Sequence, residues 1–113
     1  MSLNITWEFE DSIRTAILSG RIDSRNALLF KETISAGIAE SDIALILNFA
    51  HIEYISSAGL RIVLQLAKIY RGNKRFAICG LSTEVREVFE ISGFDQIITI
   101  YGKLDQAKEG VKA

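Results

Sequence analysis

Residues 43–71 read IALILNFAHIEYISSAGLRIVLQLAKIYR. Ile43 to Leu47 is an apolar run rich in branched residues and bounded by polar ones, the pattern of a strand buried on both faces. From Gly59 to Arg71 the apolar residues recur at helical spacing. Between the two lies Tyr54-Ile55-Ser56-Ser57-Ala58-Gly59-Leu60. Two serines therefore sit where a buried strand hands over to a buried helix. The first N–H groups of a helix have no intrahelical acceptor, and the helix dipole places positive charge there, so such a junction is a natural anion site. It is the candidate functional surface of this chain.

The helix after the serines has an unusually wide apolar face. Leu60, Val63, Leu64, Ala67 and Tyr70 fill one arc at about 100° per residue. Ile62, Leu66 and Ile69 extend that arc, and only Arg61, Gln65 and Lys68 share a polar strip. One reading is a helix wedged between a sheet and neighbouring helices. The other is that Ile62, Leu66 or Ile69 touches a partner. The first is preferred here.

Upstream, Asn4 to Glu10 alternates, with Ile5, Trp7 and Phe9 on one face, as a half-buried strand does. Asp11-Ser12 is a tight turn, and Ile13 to Ser19 is the second strand of a hairpin. Gly20-Arg21-Ile22-Asp23 leaves it. Ser24 is expected to cap a helix running to about Ala39, with Ala27, Phe30, Ile34 and Ile38 inward. The central strand is placed at Asp42 to Asn48. Downstream, Gly72-Asn73 breaks the pattern and Arg75 to Cys79 is a short strand. Ser82 or Thr83 caps a helix that carries Val85, Val88 and Phe89 inward and ends at Gly93. Gln96 to Tyr101 reads as a last strand, and Asp105 to Val111 as a final helix with Leu104, Ala107 and Val111 on its apolar side. The fold class is α/β. An N-terminal hairpin is followed by alternating helices and strands, which form a mixed sheet with helices packed on it.

The chain has 113 residues, of which 49% are hydrophobic. That is one domain, residues 1–113, with enough apolar surface for its own core; residues 1–3 are set apart as a candidate expression scar. Thirteen basic residues nearly balance fourteen acidic ones, for a net charge of -1. This gives no bulk attraction to nucleic acid or to an anionic membrane. No apolar stretch is long enough to insert across a bilayer. Met1-Ser2-Leu3-Asn4 lacks a basic region followed by an apolar one, so no secretory signal is expected. The single cysteine, Cys79, excludes an intramolecular disulfide and fits a reducing compartment as a small buried residue. The chain contains no proline.

Several chemistries are tested and set aside. A serine hydrolase presents its nucleophile in G-x-S-x-G on a strand-to-helix turn. Ser57 precedes a glycine by two, but Ile55 stands where the first glycine belongs. The only histidine, His51, is read as a half-exposed structural residue. No His/Cys/carboxylate group has metal-ligand spacing, so no metal or other cofactor is expected. The phosphate-loop pattern G-x-x-x-x-G-K-[ST] is absent. Asp23 and Glu53 stand alone and read as solvated or capping acids. On residue chemistry alone Ser57 is most simply an N-cap, with Ser56 beside it able to cap instead.

Taken together, these segments resemble the STAS domain of anti-sigma factor antagonists over nearly the whole chain. Gly20-Arg21-Ile22-Asp23 is similar to the family's glycine–x–apolar–Asp. Leu45-Ile46-Leu47-Asn48-Phe49 is similar to its buried strand ending in Asp. Ser56-Ser57-Ala58-Gly59-Leu60 is similar to its Asp-Ser-(Ser/Thr/Ala)-Gly-Leu. Gly93-Phe94-Asp95-Gln96-Ile97-Ile98 through Tyr101 resembles its closing strand. Two positions depart: Ser56 and Asn48 each stand where the family has Asp, and each removes a negative charge.

The resemblance implies a bacterial, cytoplasmic binding module and not an enzyme. Its unphosphorylated form would bind a serine kinase that is also an anti-sigma factor, and so release a sigma factor. The kinase would phosphorylate Ser57, and a serine phosphatase would restore the binding form. Asp23, Ser56, Ser57, Gly59 and Arg61 are expected to contact the partner, Arg61 because it lies one helical step from the serines. The alternatives are a STAS scaffold or transporter-associated subunit without that switch, and a small serine hydrolase.

Overall fold

The computed structural model describes residues 2–70 and 75–112. Strands β1 (Leu3–Glu10) and β2 (Ile13–Ile22) pair antiparallel without a break in register, from Leu3 opposite Gly20 to Glu10 opposite Ile13. Asp11 and Ser12 close the hairpin with φ of 55° and 64°, as a two-residue primed turn requires. From β2 onward the chain alternates: α1 (Ala27–Gly37), β3 (Ala44–Ile55), α2 (Ser57–Ile69), β4 (Arg75–Cys79), α3 (Thr83–Ser92), β5 (Thr99–Tyr101) and α4 (Leu104–Lys112). The sheet order is β1-β2-β3-β4-β5, with every pair after the hairpin parallel. This is the mixed sheet that the alternation predicts, and β1 begins at Leu3, one of the three residues set apart at the start.

Because the strands run in sequential order, crossovers of one hand put all the connecting helices on one face. The main core shows this. Phe30 and Ile34 of α1, Val63 and Leu66 of α2, and Val85 and Phe89 of α3 share one buried cluster with Leu18, Leu45, Leu47 and Phe49 of the sheet. Phe49 meets Phe89 edge to face, with ring centroids 6.0 Å apart. The other face is built from small residues, Ala44, Ala77 and Cys79, with Ile13 and Ile46. There α4 lies down on Ala107 and Val111. Helix α2 is the wedged kind: Leu60, Val63, Leu66 and Tyr70 are buried and Ile62 packs on the core, while Ile69 is 55% exposed.

Several boundaries differ from the sequence expectation. Strand β2 continues through Ile22, and β3 runs seven residues past Asn48. Beyond Ile17 their register shifts twice, so burial in β3 falls on Phe49, Ile52 and Ile55, every third residue, and hides the strand period. Ser24 does not cap α1; Asn26 holds that position, and Ile38 lies past the helix end. The stretch after Gly93 is not strand at first. Gly93 takes a left-handed φ of 79°, and Phe94–Gln96 coils into a 3-10 turn before β5 begins at Thr99. The break expected at Gly72-Asn73 lies outside the described residues.

A charged anchor holds the end of the sheet away from the serines. The Asp42 carboxylate, 1% exposed, accepts two hydrogen bonds from Arg14 of β2, each 2.9 Å, and one from the Ala39 N–H at 2.9 Å. Those bonds hold the Arg14 guanidinium above its ordinary pKa against the opposing effect of burial. Burial, with the charge of Asp42 nearby, pushes the Tyr70 phenol up to about 12.

Two outcomes follow for stability. Asp42→Ala removes a buried carboxylate and with it the two hydrogen bonds of the partly buried Arg14, and should cost about 3 kcal/mol in chemical denaturation. Tyr70 binds its proton more tightly folded than unfolded, where the phenol titrates near 10. Its contribution is therefore intact below about pH 10 and lost as pH rises towards 12. Thermal stability of the wild-type chain should fall more steeply across that window than that of Tyr70→Phe.

Candidate functional site

The parallel ladder of β2 and β3 ends with Ile22 opposite Ile55, and the Ser56 N–H donates to the Ile22 carbonyl at 2.8 Å. Asp23 and Ser56 therefore leave the sheet side by side, and the N-termini of α1 and α2 follow from them. At α2, Ser56 is the N-cap: its Oγ accepts from the Gly59 N–H at 3.2 Å, and its carbonyl accepts from the Leu60 N–H at 2.9 Å. The N–H groups of Ser57 and Ala58 have no intrahelical acceptor. Ser57 is the first helical residue and is exposed, with its hydroxyl bonded to no described residue. The capping role that residue chemistry left open between the two serines thus falls to Ser56, and Ser57 is free.

Gly59 is not at the surface. It is buried, and a Cβ there would come within 2.7 Å of Ile22 and 2.8 Å of Ile55. Its lack of a side chain lets the first turn of α2 sit on the ends of β2 and β3. Gly59 therefore seats the helix on those two strand ends. Arg61 is exposed, four residues from Ser57 and so on the same side of α2, without an ion pair to any described residue.

At α1 the turn is tied reciprocally. Asp23 Oδ1 accepts from the Arg25 N–H at 2.9 Å and the Asn26 N–H at 3.3 Å, while Asn26 Oδ1 accepts from the Asp23 N–H at 2.9 Å. Asn26 Nδ2 also donates to the Arg21 carbonyl at 2.9 Å. Asp23 thus holds the turn that leads into α1 and does not itself cap the helix. The sequence reading missed Asn26, although an Asx residue three positions after an Asp is a legible capping signal. It also missed Arg21, whose guanidinium stacks 4.6 Å over the Tyr54 ring. Those residues, with Ser2, Leu3, Ser24, Leu29 and Ser56, line an open cleft of about 580 Å³ beside the free serine.

The structure separates other residues from this place. Asn48 is on β3, eight residues upstream of Ser56, roughly 25 Å along the extended chain. Its Oδ1 accepts from the Ala50 N–H at 3.0 Å, within the irregular part of β3. The expectation of a charge change near the site therefore holds for Ser56 and not for Asn48. His51 is exposed on β3 and lines a different hollow with Ser19, Glu53, Ser82 and Glu84. No hydrogen bond joins His51 to Ser57, so the site lacks a nucleophile–base pair. No group of three or more His, Cys, Asp or Glu residues among those described could hold a metal ion, and none of the described helices is long and apolar enough to cross a membrane.

The STAS domain model matches residues 4–107. The chain belongs to the STAS domain family. BtrV of Bordetella bronchiseptica, named as an anti-sigma factor antagonist, is 34% identical over 97% of this chain and 96% of its own length. RsfB of Mycobacterium tuberculosis, an anti-sigma-F factor antagonist, is 22% identical over 98% and 91%. The crystal structure of an anti-sigma factor antagonist from Mycobacterium paratuberculosis superposes with a TM-score of 0.92 at 25% identity, covering 99% of this chain and 96% of that one. This STAS domain is accordingly a binding module and not an enzyme.

The two serines are separable by stability. Ser56→Ala should cost about 1 kcal/mol through loss of the cap, and Ser57→Ala should stay within about 0.5 kcal/mol of wild type, both read from urea unfolding. Gly59→Ala should destabilise by more than either, because Ile22 and Ile55 must move.

Proposed function

We propose that this STAS domain is a cytoplasmic anti-sigma factor antagonist switched by phosphorylation of Ser57. Unphosphorylated, it binds an anti-sigma factor that is a serine kinase, and so frees a sigma factor. The kinase modifies Ser57, the complex separates, and a serine phosphatase resets the chain. Residues 1–113 act as one domain. The partner surface is Asp23, Ser56, Ser57 and Arg61, with neither nucleic acid nor membrane insertion involved.

The observation that carries this reading is the division of labour at α2. Ser56 is occupied by the cap, whereas Ser57 is exposed and unbonded at the helix start. Phosphate adds about −1.5 to −2 charges. At that position the free N–H groups and the dipole accommodate negative charge, and Arg61 stands one turn on. The fold tolerates the modification, while an interface pressed against the same spot must accept new bulk and charge. The similarity to proteins named as antagonists supplies the class of partner.

The test begins with capture of the kinase from the native host, followed by incubation with ATP and peptide mass mapping. Phosphate should appear on Ser57, vanish in Ser57→Ala with binding kept, and persist in Ser56→Ala. Ser57→Asp should weaken binding, though less than phosphate does. Arg61→Glu should weaken binding about tenfold with thermal unfolding nearly unchanged. Phosphate on Ser56 that persists in Ser57→Ala would overturn the assignment. A kinase that binds and modifies neither serine would make the chain a scaffold without the switch.

A further inference from the structure

The two edges of the sheet are treated differently. The β5 edge is three residues long, which leaves little backbone to pair. The β1 edge is eight residues long, Leu3–Glu10, and has neither a proline, a lysine nor a break in register. Natural proteins blunt an exposed edge with such features, because its unpaired N–H and C=O groups accept another strand. The charges that β1 carries, Glu8 and Glu10, are both drawn towards Lys108 of α4, at 3.8 and 3.7 Å.

We propose that the free edge of β1 pairs antiparallel with the same edge of a second copy of this chain, about a two-fold axis at Thr6. The sequence of the strand is complementary to itself in this register. Successive side chains alternate between faces, so pairing about Thr6 sets Ile5 opposite Trp7 and Leu3 opposite Phe9 on the helix-covered face. Leu3, Ile5 and Trp7 already lean on the core there, and Phe9 is 53% exposed. On the other face Thr6 meets Thr6, and Asn4 meets Glu8. No like charges face each other. Moving the axis to Glu8 would set two carboxylates opposite one another, which an interface penalises strongly. Moving it to Trp7 would set two indoles opposite each other, and each is already pressed against Gly37 of its own chain. The contact is isologous and closes at two copies.

This interface reaches the rim of the cleft beside the serines. Leu3 is at the end of β1 that borders the cleft, together with Ser2, Asp23 and Ser56. In the antiparallel pair each Leu3 lies opposite Phe9 of the other copy, so the two Leu3 residues are about 20 Å apart along the joined strands. The two clefts are therefore held apart from one another.

The experiment is sedimentation velocity on the full chain at concentrations up to about 1 mM, since a contact of one strand edge is at the small end of specific interfaces. The wild type should reach twice the chain mass. Thr6→Lys and Thr6→Glu, both on an exposed side chain, should each weaken self-association at least about tenfold by placing like charges on the axis. An equimolar mixture of the two should restore dimers by setting Lys against Glu. A wild type that stays monomeric, variants that dimerise as well alone as the wild type does, or a mixture that fails to recover would each overturn the proposal. Thermal melts of both variants should match the wild type at dilutions where it is monomeric.

Discussion

The parallel pairing of β2 with β3 is the constraint on which the rest of this domain depends. It is fixed at both ends. At one end the Ile43 N–H donates to the Ser12 carbonyl at 2.8 Å, and Arg14 clasps Asp42. At the other the Ser56 N–H closes the ladder on Ile22. A slip of one residue would turn Leu45 and Leu47 out of the main core and carry Ala44 and Ile46 out of the α4 side. Between the two ends β3 absorbs two register shifts, which bend the pair without breaking it. The result is that Asp23 and Ser56 emerge together, Asp23 tied into the turn that leads to α1 and Ser56 into the first turn of α2.

Seating α2 on that end requires a close approach, and Gly59 supplies it. The first turn of the helix then has three separate duties, assigned to adjacent residues. Gly59 makes the contact beneath, Ser56 satisfies the backbone, and Ser57 is left facing solvent. Serine and aspartate cap helices about equally well. The cap at Ser56 therefore holds the turn as a carboxylate would, without its charge. The unmodified face is less acidic as a consequence, and a phosphate on Ser57 has no neighbouring cap carboxylate to repel it.

Much of this was legible in the sequence because burial and periodicity coincide there. The hairpin, the four helices, the parallel order and the serines at a helix start all follow from alternation, helical spacing and capping residues. What stayed hidden has physical reasons. The second half of β3 buries every third residue, so its pattern does not read as strand. Asp23 and Asn26 act as a reciprocal pair, and neither residue alone announces that. Gly59 belongs to a surface motif by position, but its role is set by Ile22 and Ile55, which only the folded chain brings beneath it. The segment after Gly93 is apolar enough for a strand, yet the left-handed glycine turns it into a 3-10 coil first.

The separation of anchor and site along the sheet also limits how the site can work. Strand β2 has ten residues from Ile13 to Ile22, roughly 30 Å at the strand rise. Arg14 and Asp42 are at its beginning, and the serines are at its end. A screening length of about 8 Å at physiological salt makes charge added at Ser57 almost invisible to the Arg14–Asp42 pair. Between the two lies a packed core dominated by apolar side chains, among them Leu18, Leu45, Leu47 and Phe49. The consequence of modification must therefore be read locally, by whatever surface touches the start of α2, and not through a rearrangement of the sheet. On the proposed switch, that would let the fold stay constant while binding changes.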